Sequence, residues 1–209
     1  MKRSCIRTMV LVFLPLCFVS SANGQPVTRF TVVDSSPTSW VARGYQNYTV
    51  TPSDGWAFVA SRNFDNGVSI NLSGPALPGT AVTNWFMDFA APFNATLAPG
   101  LYNNFQRFPF QDPDRPGLAF GSTGRLDNMA SGFFRILEVT YGGTGDVLTF
   151  AADFTHYGET NPNNYAIVEL RFNSPIPEPG TLTLSALSLL GFAWRSRFRK
   201  RTGTAGGAQ

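Results

Sequence analysis

The middle of the chain alternates apolar and polar residues with a period of two, and this pattern limits the fold more than any other feature. It is clearest at 148–155 and 166–172, where large apolar side chains occupy every second position. A period of two places successive side chains on opposite faces of a β-strand. No long window between the two ends of the chain keeps a helical period. The same alternation predicts strands at 27–33, 56–62, 68–72, 82–90, 102–110 and 133–141.

Turn-forming sequences separate these predicted strands. Asp65, Asn66 and Gly67 form one such signal, and the glycine-rich stretch 142–145 forms another. The glycine-rich stretch joins two strong strands and therefore predicts a β-hairpin over 133–155. Eight or nine short strands with frequent turns favour an all-β fold, an antiparallel β-sandwich that is jelly-roll-like. We assign this domain to residues 25–174, a length sufficient for one well-buried core.

The first 24 residues have the layout of a secretory signal peptide. Lys2, Arg3 and Arg7 form a positive start, an apolar run follows at 9–19, and small residues end the segment. We predict a signal helix over 1–24 that signal peptidase removes after Ala22 or Gly24. A buried N-terminal helix and a lipoprotein signal at Cys17 are the alternatives.

The other end of the chain has three parts in order. A proline-rich linker at 175–180 leads into an apolar segment at 181–194, and a basic cluster follows, formed by Arg195, Arg197, Arg199, Lys200 and Arg201. The apolar segment would span about 21 Å as a helix, against the roughly 20 apolar residues that a spanning helix needs. Its apolar side chains do not keep to one face, which favours a transmembrane helix over an amphipathic tail helix. The basic cluster predicts that the chain end stays in the cytoplasm and the domain lies outside.

This three-part end resembles the PEP-CTERM sorting signal of Gram-negative bacteria. Pro177, Glu178 and Pro179, the apolar segment and the basic cluster carry the resemblance, which extends over 175–201. It implies processing by a membrane transpeptidase, an exosortase, and proteins of this class are typically linked to exopolysaccharide and biofilm matrix. The chain departs from the pattern in two ways: Ser185 and Ser188 interrupt the apolar segment, and residues 202–209, which we predict to be a disordered tail, follow the basic cluster.

Charge and cysteine content exclude several function classes for the exported domain. Between residues 25 and 175 there are eight arginines, no lysines and twelve acidic residues, a net charge of −4. This balance argues against nucleic acid as a partner. Both cysteines, Cys5 and Cys17, lie in the signal peptide, so the mature domain has no thiol for a disulfide, a metal site or a nucleophile.

A second resemblance covers most of the domain. The segments 61–67, 88–93, 99–102, 107–111 and 150–154 look like an uncharacterised family of exported bacterial domains. Members of that family have cysteines at the positions of Asp127 and Gly158, and both are absent together here, as expected if they form a disulfide elsewhere. The resemblance implies the same β-sandwich and supplies no established activity or site.

Few residues are candidates for catalysis or metal binding. His156 is the single histidine, so a catalytic triad or a histidine metal site would depend on it; we predict instead a surface or hydrogen-bonded loop histidine just after a strand. Asp112 and Asp114 flank a proline, and two carboxylates are few for Ca²⁺, so a turn is favoured.

Carboxylates on neighbouring strands are a third candidate. Asp153, Glu169 and Glu138 could form the carboxylate pair of a glycoside hydrolase. Surface acids paired with arginines are the more common arrangement, and we expect that one here. We therefore predict no catalytic, cofactor or metal residue.

Aromatic residues favour a binding function more than any catalytic motif does. Exposed tryptophan and tyrosine can stack on sugar rings, although buried aromatics also fill the core of a sandwich. The expected function is that of a non-enzymatic, exported cell-envelope or extracellular-matrix protein, transiently anchored in the inner membrane. A carbohydrate-binding module on exopolysaccharide is the alternative, and a glycoside hydrolase ranks third. The aromatics in question are Trp40, Tyr45, Tyr48, Trp56, Trp85, Tyr102 and Tyr141.

Overall fold

Twelve β-strands make up the regular structure of the protein in a computed structural model that describes residues 25–175. Two single turns of 3-10 helix, Pro52–Asp54 and Pro92–Asn94, interrupt them. The strands are β1 (Val27–Ser35), β2 (Tyr48–Val50), β3 (Ala57–Arg62), β4 (Val68–Ser73), β5 (Asn84–Ala90), β6 (Gly100–Asn103), β7 (Gln106–Arg107), β8 (Gly117–Ser122), β9 (Arg125–Leu126), β10 (Ala130–Tyr141), β11 (Val147–Gly158) and β12 (Tyr165–Ser174).

The strands form two sheets that share one core. The first sheet has the order β2-β1-β12-β11-β10-β6, and the second has the order β3-β4-β5-β8-β7, with β9 paired to β8. Rings from the two sheets meet between them: Phe89 of β5 lies 5.1 Å from Phe150 of β11, and Phe30 of β1 lies 4.9 Å from Trp85 of β5. The prediction of an all-β fold with two packed sheets is thus confirmed.

The predicted hairpin is present. β10 and β11 pair antiparallel from Ala130↔Gly158 to Tyr141↔Val147, and the glycine-rich turn connects them. Alternation also gave the correct inner face of β11, where Phe150, Ala152 and Phe154 are buried. Leu148 was expected on that inner face, but it lies at the hairpin end and is half exposed.

Strand order differs from a jelly roll. β3, β4 and β5 are successive neighbours in one sheet, and β10, β11 and β12 are successive neighbours in the other. In each of these meanders, strands that follow one another in sequence are also neighbours in the sheet. The sandwich is also not wholly antiparallel, since β7 pairs with β8 in parallel.

The strand β8 was not predicted, because all six of its residues are buried and the alternation is lost. Its outer face is covered by neighbouring side chains. A Cβ added at Gly117 would lie 2.8 Å from Cδ of Gln111, and one at Gly121 would lie 2.1 Å from the ring of Phe86. The small residues of β8 therefore permit a second layer, formed in part by the loop between β7 and β8.

The expected signal helix, transmembrane helix and tail lie outside the described residues. Within 25–175, the structure has no helix of the length and apolar character needed to cross a membrane. β12 ends at Ser174, next to the proline-rich linker.

Candidate functional site

His156 lies in β11 and not in the loop that we predicted. Its side chain is 1% exposed and packs between the rings of Phe105 and Phe120, with centroids 6.2 and 5.4 Å away. Neither ring nitrogen has a hydrogen-bond partner among residues 25–175. Burial lowers the pKa of His156 to about 4. The strand continues to Gly158, three residues further than the alternation suggested, because it pairs with the start of β10. The prediction of a surface or hydrogen-bonded histidine is wrong.

Asp127 is the acidic neighbour of this histidine. Its Oδ2 lies 3.9 Å from Nδ1 of His156, too far for a hydrogen bond, and the carboxylate is 4% exposed. Burial, and then the charge of Glu159, raise the pKa of Asp127 to about 6. A neutral imidazole beside a buried carboxyl is part of the packed core here.

Asp127 also lies against Gly158. A Cβ added at Gly158 would be 2.5 Å from Oδ2 of Asp127. The side chain of Asp127 therefore occupies the space that a side chain at position 158 would need.

The carboxylates on neighbouring strands are held in ion pairs. Asp153 and Glu169 face each other across β11 and β12, and both line a groove of about 450 Å³ on the outer face of the first sheet. Arg171 donates to Asp153 at 2.7 Å, and Arg29 donates to Glu169 at 2.7 Å. Carboxylates engaged in this way are poorly placed to act as the proton donor and nucleophile of a glycosidase.

Glu138 is also engaged. It accepts hydrogen bonds from the hydroxyls of Thr149 and Ser174. Asp153 and Glu169 are thus paired with arginines as predicted, whereas the partners of Glu138 are hydroxyl groups. A groove lined by two carboxylates is a feature that favours a glycoside hydrolase, and in this groove each carboxylate lies beside an arginine.

Asp112 and Asp114 lie in the loop between β7 and β8. The backbone N–H of Arg115 donates to the carbonyl of Asp112 at 2.9 Å, which closes a turn as predicted. The carboxylate of Asp112 accepts from the side chain of Gln106 at 2.8 Å. Within the described part of the chain, no three histidine, cysteine, aspartate or glutamate residues gather into a possible metal site.

The three domain tryptophans do not form an exposed row. Trp56 and Trp85 are 2% and 0% exposed and belong to the core. Trp40 is 53% exposed, and the guanidinium of Arg125 lies over it, 4.1 Å from its ring centroid.

The tyrosines pack against other groups of the domain. Tyr45 stacks on Tyr48, and Tyr102 stacks on Phe134. The hydroxyl of Tyr141 donates to the carbonyl of Leu97. Core packing thus accounts for most of the aromatic residues singled out in the sequence.

The most exposed aromatics are phenylalanines that sequence analysis did not single out. Phe64 in the β3–β4 loop is 74% exposed, and Phe93 after β5 is 75% exposed. Together they line a groove of about 420 Å³ at one end of the second sheet. We call it the loop groove; its other lining residues are Asp65, Ala91, Asn94, Pro109, Gln111, Asp112, Pro113 and Arg115. No sequence signal marks these phenylalanines, because they lie in separate loops.

Hydrogen bonds tie the loops of this groove together. Nε2 of Gln111 donates to Asp65 at 2.8 Å, and Nδ2 of Asn66 donates to the carbonyl of Asn94 at 3.0 Å. The N–H of Phe93 donates to the carbonyl of Pro113 at 2.6 Å. Phe93 itself has a φ of 59°, a left-handed conformation that is unfavourable for a bulky side chain. The three loops thus hold Phe93 in a strained backbone conformation with its ring directed to solvent.

Two further depressions continue from the loop groove. One shares Arg115 with it, and Leu101 and Asn103 line both that depression and the groove on the first sheet. The shared residues show that the three depressions adjoin one another.

The match to a known family lies at the C-terminal end of the chain. Residues 175–200 match the family described as the PEP-CTERM protein-sorting motif. This chain carries a PEP-CTERM sorting signal. The match includes Pro177, Glu178 and Pro179 and four of the five basic residues, Arg195, Arg197, Arg199 and Lys200, all of which lie outside the described residues.

The PEP-CTERM signal supports an exosortase as the processing enzyme, and it implies export with membrane-anchored transit before sorting. The resemblance stated from the sequence is thus confirmed for the sorting signal. No curated protein and no solved structure matches the chain.

Proposed function

We propose that this protein is a non-enzymatic component of the cell envelope or extracellular matrix that an exosortase sorts through its PEP-CTERM signal. The observation that carries the proposal is the match at residues 175–200, which begins directly after β12 ends at Ser174. A domain that is complete before the signal begins can be released without losing a strand. The pairing of Asp153 and Glu169 with arginines supports a non-enzymatic role.

The proposed setting is the exopolysaccharide or biofilm matrix of a Gram-negative bacterium. The signal peptide would bring the chain to the inner membrane, where signal peptidase acts first. The apolar segment would hold it there, with the basic cluster inside. Pro177 and Pro179 disfavour a helix by their sequence alone, and we propose that the transpeptidase acts at residues 177–179.

Alanine replacement of Pro177, Glu178 and Pro179 tests the sorting role. We expect the triple variant to stay at its unprocessed size, because the sorting sequence is gone while the domain remains intact. The measurement is the electrophoretic mobility and membrane fractionation of a tagged protein, in hosts with and without the exosortase. If the wild-type protein has the same size in both hosts, with its tail attached, the segment is only a membrane anchor.

Replacement of the basic cluster by glutamine provides the matched comparison. With Arg195, Arg197, Arg199, Lys200 and Arg201 all neutral, the stop-transfer charge is lost while the Pro-Glu-Pro sequence remains. Retention in the membrane should weaken before processing. Equal retention of this variant and the wild type would show that the charges do not orient the chain.

Carbohydrate binding is the second candidate function. The buried Trp56 and Trp85 remove the tryptophan row that would have favoured it. The loop groove favours it instead, because Phe64 and Phe93 present two exposed rings beside carboxylate, amide and guanidinium groups. Such a function agrees with an exopolysaccharide setting and requires no catalytic group.

A further inference from the structure

We propose that the loop groove is a binding site for a neutral polysaccharide chain, with Phe64 and Phe93 as its stacking platforms. This inference rests on the second proposed function, carbohydrate binding, and assigns that function to a place on the domain. It also assigns the charge class of the ligand.

The two rings have the exposure that stacking on sugar requires. Phe64 and Phe93 are 74% and 75% exposed, more than any tryptophan in the domain. Phe64 is braced from behind by Phe108, whose ring centroid is 5.1 Å away. A braced ring loses little side-chain entropy when a ligand covers it. The C–H faces of a pyranose can then pack on the aromatic faces.

Polar groups in the walls of the groove suit hydroxyl groups. Asp65, Asp112, Gln111 and Asn94 provide acceptors and amide donors, and Arg115 adds a guanidinium. Carboxylates and planar amides can bond two neighbouring hydroxyls at once. With two carboxylates and one arginine, the groove does not favour a polyanion, so an uncharged glycan fits its charge.

The backbone of the groove is built in advance. Phe93 has a φ of 59°. Its N–H donates to the carbonyl of Pro113, and Asn66 donates to the carbonyl of the next residue, Asn94; strained residues of this kind persist where the surroundings over-determine them. In this conformation the ring of Phe93 faces solvent, whereas a phenylalanine side chain is more stable when it is buried. A preorganised platform lowers the cost of binding.

The shape of the surface favours an extended chain over a single sugar. The loop groove adjoins a second depression at Arg115, and that depression shares Leu101 and Asn103 with the groove on the first sheet. Each depression has a volume of about 420 to 450 Å³, which suits one or two sugar rings. A chain of several units could therefore extend over these depressions.

The test uses the full chain, purified in detergent, and soluble hexasaccharides of glucose, mannose, galactose and N-acetylglucosamine, with oligo-alginate as the anionic probe. Isothermal titration calorimetry gives the affinity of each. Phe93→Gly removes the ring while suiting the left-handed backbone, so the variant should fold at least as well as the wild type. Phe64→Ala removes the second ring. Trp40→Ala is the matched control, an exposed aromatic outside the groove.

We expect at least one neutral hexasaccharide to bind and each phenylalanine substitution to weaken it by about tenfold or more, with Trp40→Ala unchanged. If the glycan binds equally to the wild type and to both groove variants, the loop groove is the wrong site and carbohydrate binding itself stands. If only alginate binds, the assigned charge class is overturned. If no probe binds, both the site and the carbohydrate-binding function are rejected.

Discussion

His156 and Asp127 have their usual order of protonation reversed by burial. The ordinary pKa values are 6.5 for the imidazole and 3.8 for the carboxyl, and in the folded protein they become about 4 and about 6. Between about pH 4 and about pH 6, the folded protein holds one proton on Asp127, whereas the unfolded chain holds one proton on His156. Each state binds one proton, so the pair adds little pH dependence to stability.

Asp127→Asn should reveal the pH dependence of stability that His156 causes, because the carboxyl that compensates for it is gone. Residue 127 no longer titrates in this variant, and the pKa of His156 is still lower in the folded state than in the unfolded chain. The unfolded chain then binds more protons below pH 6.5. Stability should be full above that pH and should fall on acidification towards pH 4, by up to about 1.4 kcal/mol per pH unit.

Urea unfolding of the wild type and of this variant across that pH range provides the measurement. The double variant with His156→Gln is the control and should lose the added slope, because no buried imidazole remains. Parallel pH profiles for the wild type and Asp127→Asn would contradict the compensation.

At the scale of elements, the start of β10 and the end of β11 close one end of the first sheet. Ala130 pairs with Gly158, and Asp127 lies just before β10, with its carboxylate against Gly158. The absence of a side chain at Gly158 is what admits the carboxylate. Position 158 therefore needs a glycine because the side chain of Asp127 lies against it, and not because of its backbone conformation.

Asp127→Cys together with Gly158→Cys should form a disulfide under oxidising conditions. Closure of this loop can stabilise the folded state by about 3 to 4 kcal/mol, less any strain. The measurement is free-thiol titration and the thermal midpoint with and without reductant. Gly158→Ala alone is the control and should destabilise the protein, since its Cβ would lie 2.5 Å from Oδ2 of Asp127. If the oxidised double variant is no more stable than its reduced form, positions 127 and 158 do not have the geometry that a disulfide needs.

At the scale of the whole molecule, residues 25–175 contain both sheets and their common core. The first and last strands are neighbours, with Val27 paired to Ser174, so the two ends of the domain leave it side by side. The long apolar runs at 9–19 and 181–194 lie outside this unit.

The fragment 25–175 should therefore fold by itself and remain soluble. We expect a β-type circular dichroism spectrum and one cooperative unfolding transition at neutral pH. The fragment 25–164 is the contrast: it lacks β12, which lies between β1 and β11, and it should not fold. An unfolded spectrum for 25–175 would show that the single-domain interpretation is wrong.

Sequence alone determined the sorting signal, the fold class and the strongest strands of this protein. The motif at 177–179, the apolar segment and the basic cluster are contiguous, so their order is visible without a structure. The hairpin of β10 and β11 was also predictable, because alternation and a glycine-rich turn are local properties. The signal peptide remains a prediction from the same kind of local pattern.

Tertiary structure alone decided which side chains are buried or exposed outside those patterns. β8 has no alternation because a loop covers its outer face, and His156 is buried because β11 runs on to pair with β10. Phe64 and Phe93 are exposed because three loops distant in sequence meet at one end of the second sheet. Exposure of a loop residue depends on contacts between distant segments, and the local sequence does not encode which segments will meet.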